Sequence, residues 1–462
     1  MRKYINKHFS ILLVSALFFS VQGFAQESFL LKELRIPQIL QENPGLTLPY
    51  DAHVSFPGLG KVHVGVNAPF SYGDMFSLGD KFLKKRSNNN AIRTWFELDP
   101  IHLGFRVKEK NYISITTAVK TDINFAVQKD LFALVIEGNE PDRSLVKNNL
   151  VSANAYMEFG LGYNREVNDN VSFGVNAKYL LGFLNAHTKK ADLTLTSGEN
   201  FHELVLNQNL QGKISCISDV VGVLLDSTKE TSDIADELKR LSLSDFKNHG
   251  FSIDLGMRYK INDYFEVTAS VLDLGLIKWK SNPYQYDIVD KPFTFRGYES
   301  DNIFEEGDGK FAENIGDYFQ DLADSLLDNF KSELVASSAY TKWLNTKINV
   351  GFSIYASPKD RFNLAFKGTF INSVFVPSGS VSYVRHCGKW FDVVVGNTFK
   401  PKSLLNPGLG VNFTLGVFQL YAIVDYTNTL AYIDRAKNLN VIFGINFVSH
   451  RKTDSFKASY PY

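Results

Sequence analysis

The sequence predicts an all-β chain that closes into a transmembrane antiparallel β-barrel of about 14 strands, within a range of 12 to 16. Three observations carry that fold class. They are an export signal with no later apolar helix, strand-period alternation repeated along the chain, and connections that are short on one side and long on the other.

The export signal comes first. MRKYINKHFSILLVSALFFSVQGFAQ sets Arg2, Lys3 and Lys7 ahead of an apolar run from about Phe9 to Val21, the layout of a signal peptide. The run is shorter than the roughly 20 apolar residues a spanning helix needs. Gly23 and Ala25 put cleavage after Ala25, so that residues 1–25 are removed and Gln26 becomes the mature terminus. No cysteine lies near the cut, which disfavours a lipid-anchored lipoprotein. The expected location is the cell outer membrane, reached by export. Loss of the three basic residues turns 49 basic against 49 acidic into a mature net charge of about −3 with no basic block, so no nucleic acid is expected as a partner. Cys216 and Cys387 lie far apart in sequence; two unrelated thiols are the simple reading, and a pairing between them is left open.

Residues 26–60 do not alternate. KELRIPQILQENPGLTLPYDAHVSFPGLG is rich in Pro and Gly turns, and it fits either a plug inside the lumen or a periplasmic lead-in to the first strand. The barrel is expected over 61–448. Ile101, Leu103, Phe105 and Val107 lead through KEKN to Ile113 and Ile115. Met157, Phe159, Leu161 and Tyr163 lead through REVNDN to Val171, Phe173, Val175, Ala177 and Tyr179. Phe251, Ile253, Leu255, Met257 and Tyr259 share one face of a strand and turn at Ile261, Asn262 and Asp263 into Phe265, Val267, Ala269 and Val271. Val350, Phe352 and Ile354 lead through ASPKD to Phe362, Leu364 and Phe366, and the chain closes with Val411 to Leu415, FQLYAIVDY, and Leu439 to Phe447. A period of two is the signature of a strand.

Between these hairpins stand longer insertions at 71–94, 125–149, 215–248 and 278–346. Within the last, residues 314–339 place Ile315, Phe319, Leu322, Leu326, Phe330 and Leu334 at helical spacing opposite Asp317, Asp321, Asp324 and Asp328, an amphipathic loop helix with a solvated acidic face. A weaker helical run, DIADELKRL, starts at Asp233. Residues 449–462 form a polar C-terminal tail, and 191–215 fit one strand pairing or two.

Which solvent each face meets follows from the charges. The faces opposite the apolar ones carry Glu158, Lys178, Asp254, Arg258, Glu266, Lys367 and Asp425, which a dry sandwich core would not hold unpaired. The apolar faces therefore meet outer-membrane lipid and the polar faces a lumen, lined by Asp254, Arg258, Glu266, Lys178 and Glu158 as candidates. Tyr163, Tyr179, Tyr259, Trp279, Trp390 and Tyr426 sit at strand ends, where interfacial aromatic girdles belong. Enzymatic motifs are missing: no GxSxG, HExxH, P-loop or CxxC occurs. His249, Ser252 and Asp254 are the one near-triad, but His249 is out of phase with the other two. No catalytic residue, metal or cofactor is expected, and the chain reads as a non-enzyme.

Three stretches, FPGLGKVHVGVNAPFSYGDMF, SVLDLGLIKWKSNPY and NPGLGVNFTLGVFQLYAIVDY, resemble an uncharacterised family of Bacteroidetes outer-membrane β-barrels similar in architecture to FadL-type and PorV-type barrels. The resemblance implies a barrel of about 14 strands whose N-terminal segment enters the lumen; it hands over no substrate and no site residue. A channel or transporter for small or hydrophobic solutes is the leading expectation. A non-enzymatic accessory or docking barrel of a secretion or surface-assembly system, with a protein partner held by the long loops, is the alternative, and an outer-membrane enzyme the second alternative.

Overall fold

The structure, a computed structural model, describes residues 28–68, 71, 90–127, 129, 133, 143–148, 151–197, 204–219, 245–295, 333–371, 374–400, 404–427 and 437–451. The expected signal peptide, the helical run expected from Asp233, residues 314–332 of the expected loop helix and 452–462 of the expected tail lie outside them.

Alternation becomes wall. In β9 (His249–Lys260) the odd-numbered residues face out and the even ones in, so Phe251 is 67% exposed while Asp254 is fully buried. The same period runs through β3 (Asn90–Val107), β4 (Asn111–Val127), β6 (Val151–Glu166), β7 (Val171–Ser197), β10 (Phe265–Trp279), β14 (Lys347–Tyr355), β15 (Asp360–Ile371), β16 (Val374–Cys387), β17 (Phe391–Phe399), β18 (Pro407–Leu415), β19 (Phe418–Asp425) and β20 (Asn438–His450). The first strand is split into β1 (Tyr50–Ser55) and β2 (Lys61–Asn67), both of which pair with β20 on one side and β3 on the other. Counting β1 and β2 together closes a ring of 14 antiparallel strands. Closure satisfies the backbone of every strand, which is what lets strands cross a bilayer. Among the described residues no helix is long and apolar enough to do so.

The split in the first strand has a chemical cause. Phe56 N–H donates to the Ile445 carbonyl at 2.9 Å and Ile445 N–H to the Leu59 carbonyl at 2.8 Å, so Pro57 and Gly58 loop out between them. Proline has no N–H to give the ladder, and Gly58 takes a φ of 78° that a side chain would strain. On the far side β3 shifts register between Leu98 and Ile101, around Pro100.

Several boundaries differ from the sequence expectation. The wall begins at Tyr50 rather than residue 61 and runs through His450 rather than 448. The span 278–346 is not a plain insertion: β11 (Pro283–Phe295) pairs with β8 (Leu204–Cys216), and β13 (Tyr340–Trp343) pairs with the end of β10. The end of the expected loop helix is instead β12 (Leu334–Ala336), paired to β11, because an open strand edge captured it. Residues 191–215 make one hairpin, β7 with β8. With 27 residues, β7 is far longer than the 9 to 11 or so that cross a membrane, so it continues beyond the ring into this extra sheet.

Trp279 is the clearest correction. Constant alternation from Phe265 puts it on the lipid face, yet it is 1% exposed and packs inward with Leu180 and Ile277. A bulge between Val271 and Leu274 inserts one residue and reverses the phase of everything after it. Tyr426 likewise is buried, over Lys400, rather than in a girdle. Trp390 and Tyr259 are exposed at the outer surface, and both cysteines are free thiols.

Candidate functional site: the lumen and its two walls

Inside the ring, the N-terminal segment 28–49 packs against inward faces of the wall. Leu30, Leu31, Leu34, Ile36, Ile39 and Leu40 form one buried cluster with Tyr50, Val384, Val394, Tyr421 and Ile423 of the strands. Its only regular elements are a 3₁₀ turn at Leu31–Glu33 and a single helical turn, α1 (Ile39–Glu42). Little internal structure means that its position is fixed from outside, by the wall.

One close approach depends on missing side chains. Gly174 of β7 and Gly256 of β9 are cross-strand partners. A Cβ on Gly174 would lie 1.9 Å from the Pro44 carbonyl oxygen, and one on Gly256 would lie 2.0 Å from Asn43 Oδ1. The bare pair forms a seat for the Asn43–Pro44–Gly45 turn, which is tied down by Asn43 Nδ2 donating to the Met257 carbonyl at 3.1 Å and Ser172 Oγ to the Gly45 carbonyl at 2.6 Å.

Charged residues on one half of the wall pair with each other. Lys61 of β2 meets Glu97 of β3 at 2.9 Å, Glu97 meets Lys120 of β4 at 3.6 Å, and Lys120 meets Glu158 of β6 at 3.0 Å. Lys178 of β7 then meets Glu158 at 3.8 Å, Asp254 of β9 at 2.7 Å and Asp273 of β10 at 2.9 Å, and Asp273 meets Lys347 of β14 at 2.9 Å. The ladder runs around eight adjacent strands of the ring and alternates in sign except where Asp254 and Asp273, on neighbouring strands, share Lys178. Register builds it directly in places: Glu97 and Lys120 are cross-strand partners.

Of the five lumen-lining candidates, Glu158, Lys178 and Asp254 come together in this ladder. Arg258 and Glu266 form a separate pair, Arg258 Nε donating to Glu266 Oε2 at 2.7 Å. All five are buried on the inward face. Sequence reasoning missed Asp273, the residue that joins Lys178 to Lys347. It sits in the β10 bulge with a φ of 56°, uncommon for a residue with a side chain, and its N–H donates to Asp254 Oδ1 at 2.7 Å. The signal was present in LDLGL: Leu272 and Leu274 are apolar at even positions after Phe265, Val267 and Val271 at odd ones, a phase slip that marks a bulge.

The other half of the wall pairs its charges with the N-terminal segment. Arg361 Nη2 of β15 donates to Glu33 Oε2 at 2.9 Å, and Lys367 Nζ donates to Glu42 Oε2 at 3.2 Å. Arg35 forks onto Asp392 of β17 and donates to the Gly388 carbonyl at 2.7 Å. Asp392 is fully buried and also bonded to His386 Nδ1 at 2.6 Å and Asn412 Nδ2 at 2.8 Å. Toward the ladder half the segment offers neutral amides instead: Gln41 Nε2 donates to Asp99 Oδ2 at 2.6 Å, and Gln38 Nε2 donates to the Gly60 carbonyl at 2.9 Å, just behind the split in the first strand.

A cavity remains beside the ladder, with a volume of about 80 Å³, bordered by Arg93, Trp95, Glu97, Lys120, Tyr156, Asp273, Trp343, Lys347 and Lys367 among others. Among the described residues, the near-triad of the sequence does not assemble. His249 bonds Tyr179 at 2.6 Å on the outer side of its strand, away from inward Ser252 and Asp254. His53 and His102, distant in sequence, stack edge to face at 4.5 Å, with Tyr112 Oη 2.6 Å from His53 Nδ1. Among the described residues, no group of three or more His, Cys, Asp or Glu side chains is placed to hold a metal ion.

A family of unknown function, DUF5723, matches residues 44–425, and the chain belongs to it. No curated protein matches the sequence. Among solved structures, it is similar to the Pseudomonas putida toluene transporter TodX at 7% identity and a TM-score of 0.40, covering 89% of this chain and 91% of that one. The CymD monoaromatic hydrocarbon channel gives 8% and 0.39, with 91% and 94% covered. A Pseudomonas aeruginosa FadL homologue gives 8% and 0.39, with 86% and 90% covered.

Proposed function

We propose that this member of DUF5723 is an outer-membrane channel for small solutes whose lumen is closed by its own N-terminal segment. The observation that carries the reading is the segment's attachment: three ion pairs to one half of the wall, and neutral amide bonds and a glycine seat on the other. A segment placed for folding alone needs no such division, since apolar packing would suffice. The buried faces of Glu158, Lys178, Asp254, Arg258 and Glu266 then act as pore lining. Export by the signal peptide brings the chain to the membrane, and the apolar outer face supplies its contact with lipid.

Conductance in planar bilayers tests this, using protein whose folding is established by a band shift between boiled and unboiled gel samples. The native barrel gives small or no steady current, and a chain lacking residues 28–42 gives a large one with the band shift retained. A deleted chain that folds and stays silent would falsify the plugged-channel reading.

An accessory or docking barrel is the second reading, favoured by the sheet that β7, β8 and β11 build beyond the ring. Stoichiometric co-purification with a partner from native membranes, together with no current from either chain, would favour it.

A further inference from the structure

The mouth on the side of the long connections carries charge of one sign. Tyr340 of β13 is the cross-strand partner of Trp279, which packs inward, so the Tyr340 ring shares that inward face. Lys342, two residues further along β13, lies on the same face as partner of Ile277, itself 1% exposed. His187 of β7 and Lys213 of β8 are partners of each other and reach the same ring. The imidazole centroid lies 5.4 Å from that of Tyr340, and Lys213 Nζ lies 5.3 Å from it. Tyr340 Oη donates to Asn185 Oδ1 at 2.8 Å, which ties β13 to β7. In the sheet beyond the ring, burial and then the ammonium groups of Lys342, Lys189 and Lys213 hold His187 down to about 4, so it stays neutral. Three lysines thus converge on one aromatic pair.

These lysines differ from those below them. In the ladder Lys61, Lys120, Lys178 and Lys347 each meet a carboxylate at 2.7 to 3.0 Å. Among the described residues, Lys189, Lys213 and Lys342 form no ion pair. Grouped like charges repel one another, and lysine is seldom drawn out of water without a partner. An anion arriving from solution supplies the charge that the wall does not. The residue type narrows which anion: arginine presents a planar fork that matches a carboxylate, whereas lysine is a compact point charge with rotatable donors. Point charges from β7, β8 and β13 act on an anion in proportion to its own charge, so a doubly charged oxyanion gains more than a single carboxylate. Their inward face also decides the source. A lipid phosphate would lie on the outward face, beside Phe251 and Leu276.

We infer that Lys189, Lys213 and Lys342 form an entry site for small phosphate-bearing anions, which a solute meets before it reaches the ladder. The inference names a solute class for the channel proposed above and rests on that reading for its purpose, though binding is measured without it.

The test uses the full mature barrel in detergent micelles and the phosphorus NMR line width of inorganic phosphate, with acetate, choline and micelle-borne phosphatidate as competitors. Phosphate broadening is expected to saturate at millimolar concentration. Acetate should displace it only at about fivefold higher concentration or more, and choline and phosphatidate not at all. Lys213→Gln and Lys342→Gln are each expected to weaken phosphate about threefold, and together about tenfold, with the gel band shift intact. Lys278→Gln, which removes an exposed lysine from the outward face of β10, should leave it unchanged. If a variant does not fold, competition on the native chain decides alone. Absence of saturable phosphate binding overturns the inference, as does acetate matching phosphate or an equal loss from Lys278→Gln. Displacement by phosphatidate overturns it in favour of a lipid headgroup. Phosphate binding without conductance in the segment-deleted chain leaves this inference standing and removes the channel; conductance without phosphate binding does the reverse.

Discussion

The two halves of the lumen wall solve one problem in different ways. From β2 to β14, buried charges are neutralised by neighbours in adjacent strands, and the N-terminal segment meets them with neutral groups, Gln41 at Asp99 and Lys61 and the Leu48 carbonyl at Arg106. From β15 to β17, Arg361, Lys367 and Asp392 bond instead to Glu33, Glu42 and Arg35 of that segment. A wall that neutralises itself stays intact, and can face solvent or solute, whatever the segment does. A wall completed by the segment holds that segment in place. On the channel reading proposed above, the difference assigns stability and closure to opposite sides of one barrel, and substitutions should separate them.

The sharpest break is at Lys178, which bonds three carboxylates. Lys178→Met leaves Asp254 and Glu158 without their central cation, and uncompensated buried charge costs about 3–5 kcal/mol. A lower urea midpoint for the gel band shift is expected, with the segment still protected from protease; a protected barrel of unchanged midpoint would show that the ladder contributes nothing to stability.

Asp392→Asn tests the opposite half. Removing the charge weakens the fork to Arg35 by about 1.5–3 kcal/mol, and the expected outcome is proteolysis near Arg35 and raised conductance with a nearly native midpoint. Equal losses from both variants would dissolve the division of labour argued here.

Gly256→Val reaches the same segment without touching a charge. Overpacking costs typically 1–3 kcal/mol, directed at the Asn43–Pro44–Gly45 turn, so current should rise while the ladder is undisturbed. Protease sensitivity of the N-terminal segment reports the displacement.

The smallest effect is expected outside the membrane, at the β9–β10 turn. The hydrogen bond from Lys260 holds the Asp263 carboxyl below its ordinary range. Its contribution is therefore present above the unfolded carboxylate value and is lost as pH falls through the lower folded one. Asp263 is fully exposed, so Asp263→Ala should lower the midpoint only marginally at neutral pH and leave it unchanged in acid, where the contribution is already gone. A large shift at pH 7 would mean that this turn bears on the wall.

Much of this was legible in the chain. A period of two sets each side chain's face wherever the strand is regular, so Phe251 out and Asp254 in could be read from HGFSIDLG, and hairpin spacing gave a barrel. Turns rich in Asn, Asp and Lys placed the short ends. These are local properties, carried by neighbouring residues and by backbone geometry.

Tertiary structure decided what depends on register and on closure. Lys178 meets Asp273 because β7, β9 and β10 align as they do, and because a bulge turned Asp273 into the lumen and Trp279 with it. Residues 26–60 fitted two places equally by composition; their packing against Val394, Tyr421 and the Gly174–Gly256 seat involves residues hundreds of positions away. Alternation assigns a charge to the inside of the barrel, but only the ring, by fixing which strands are neighbours, assigns it a partner.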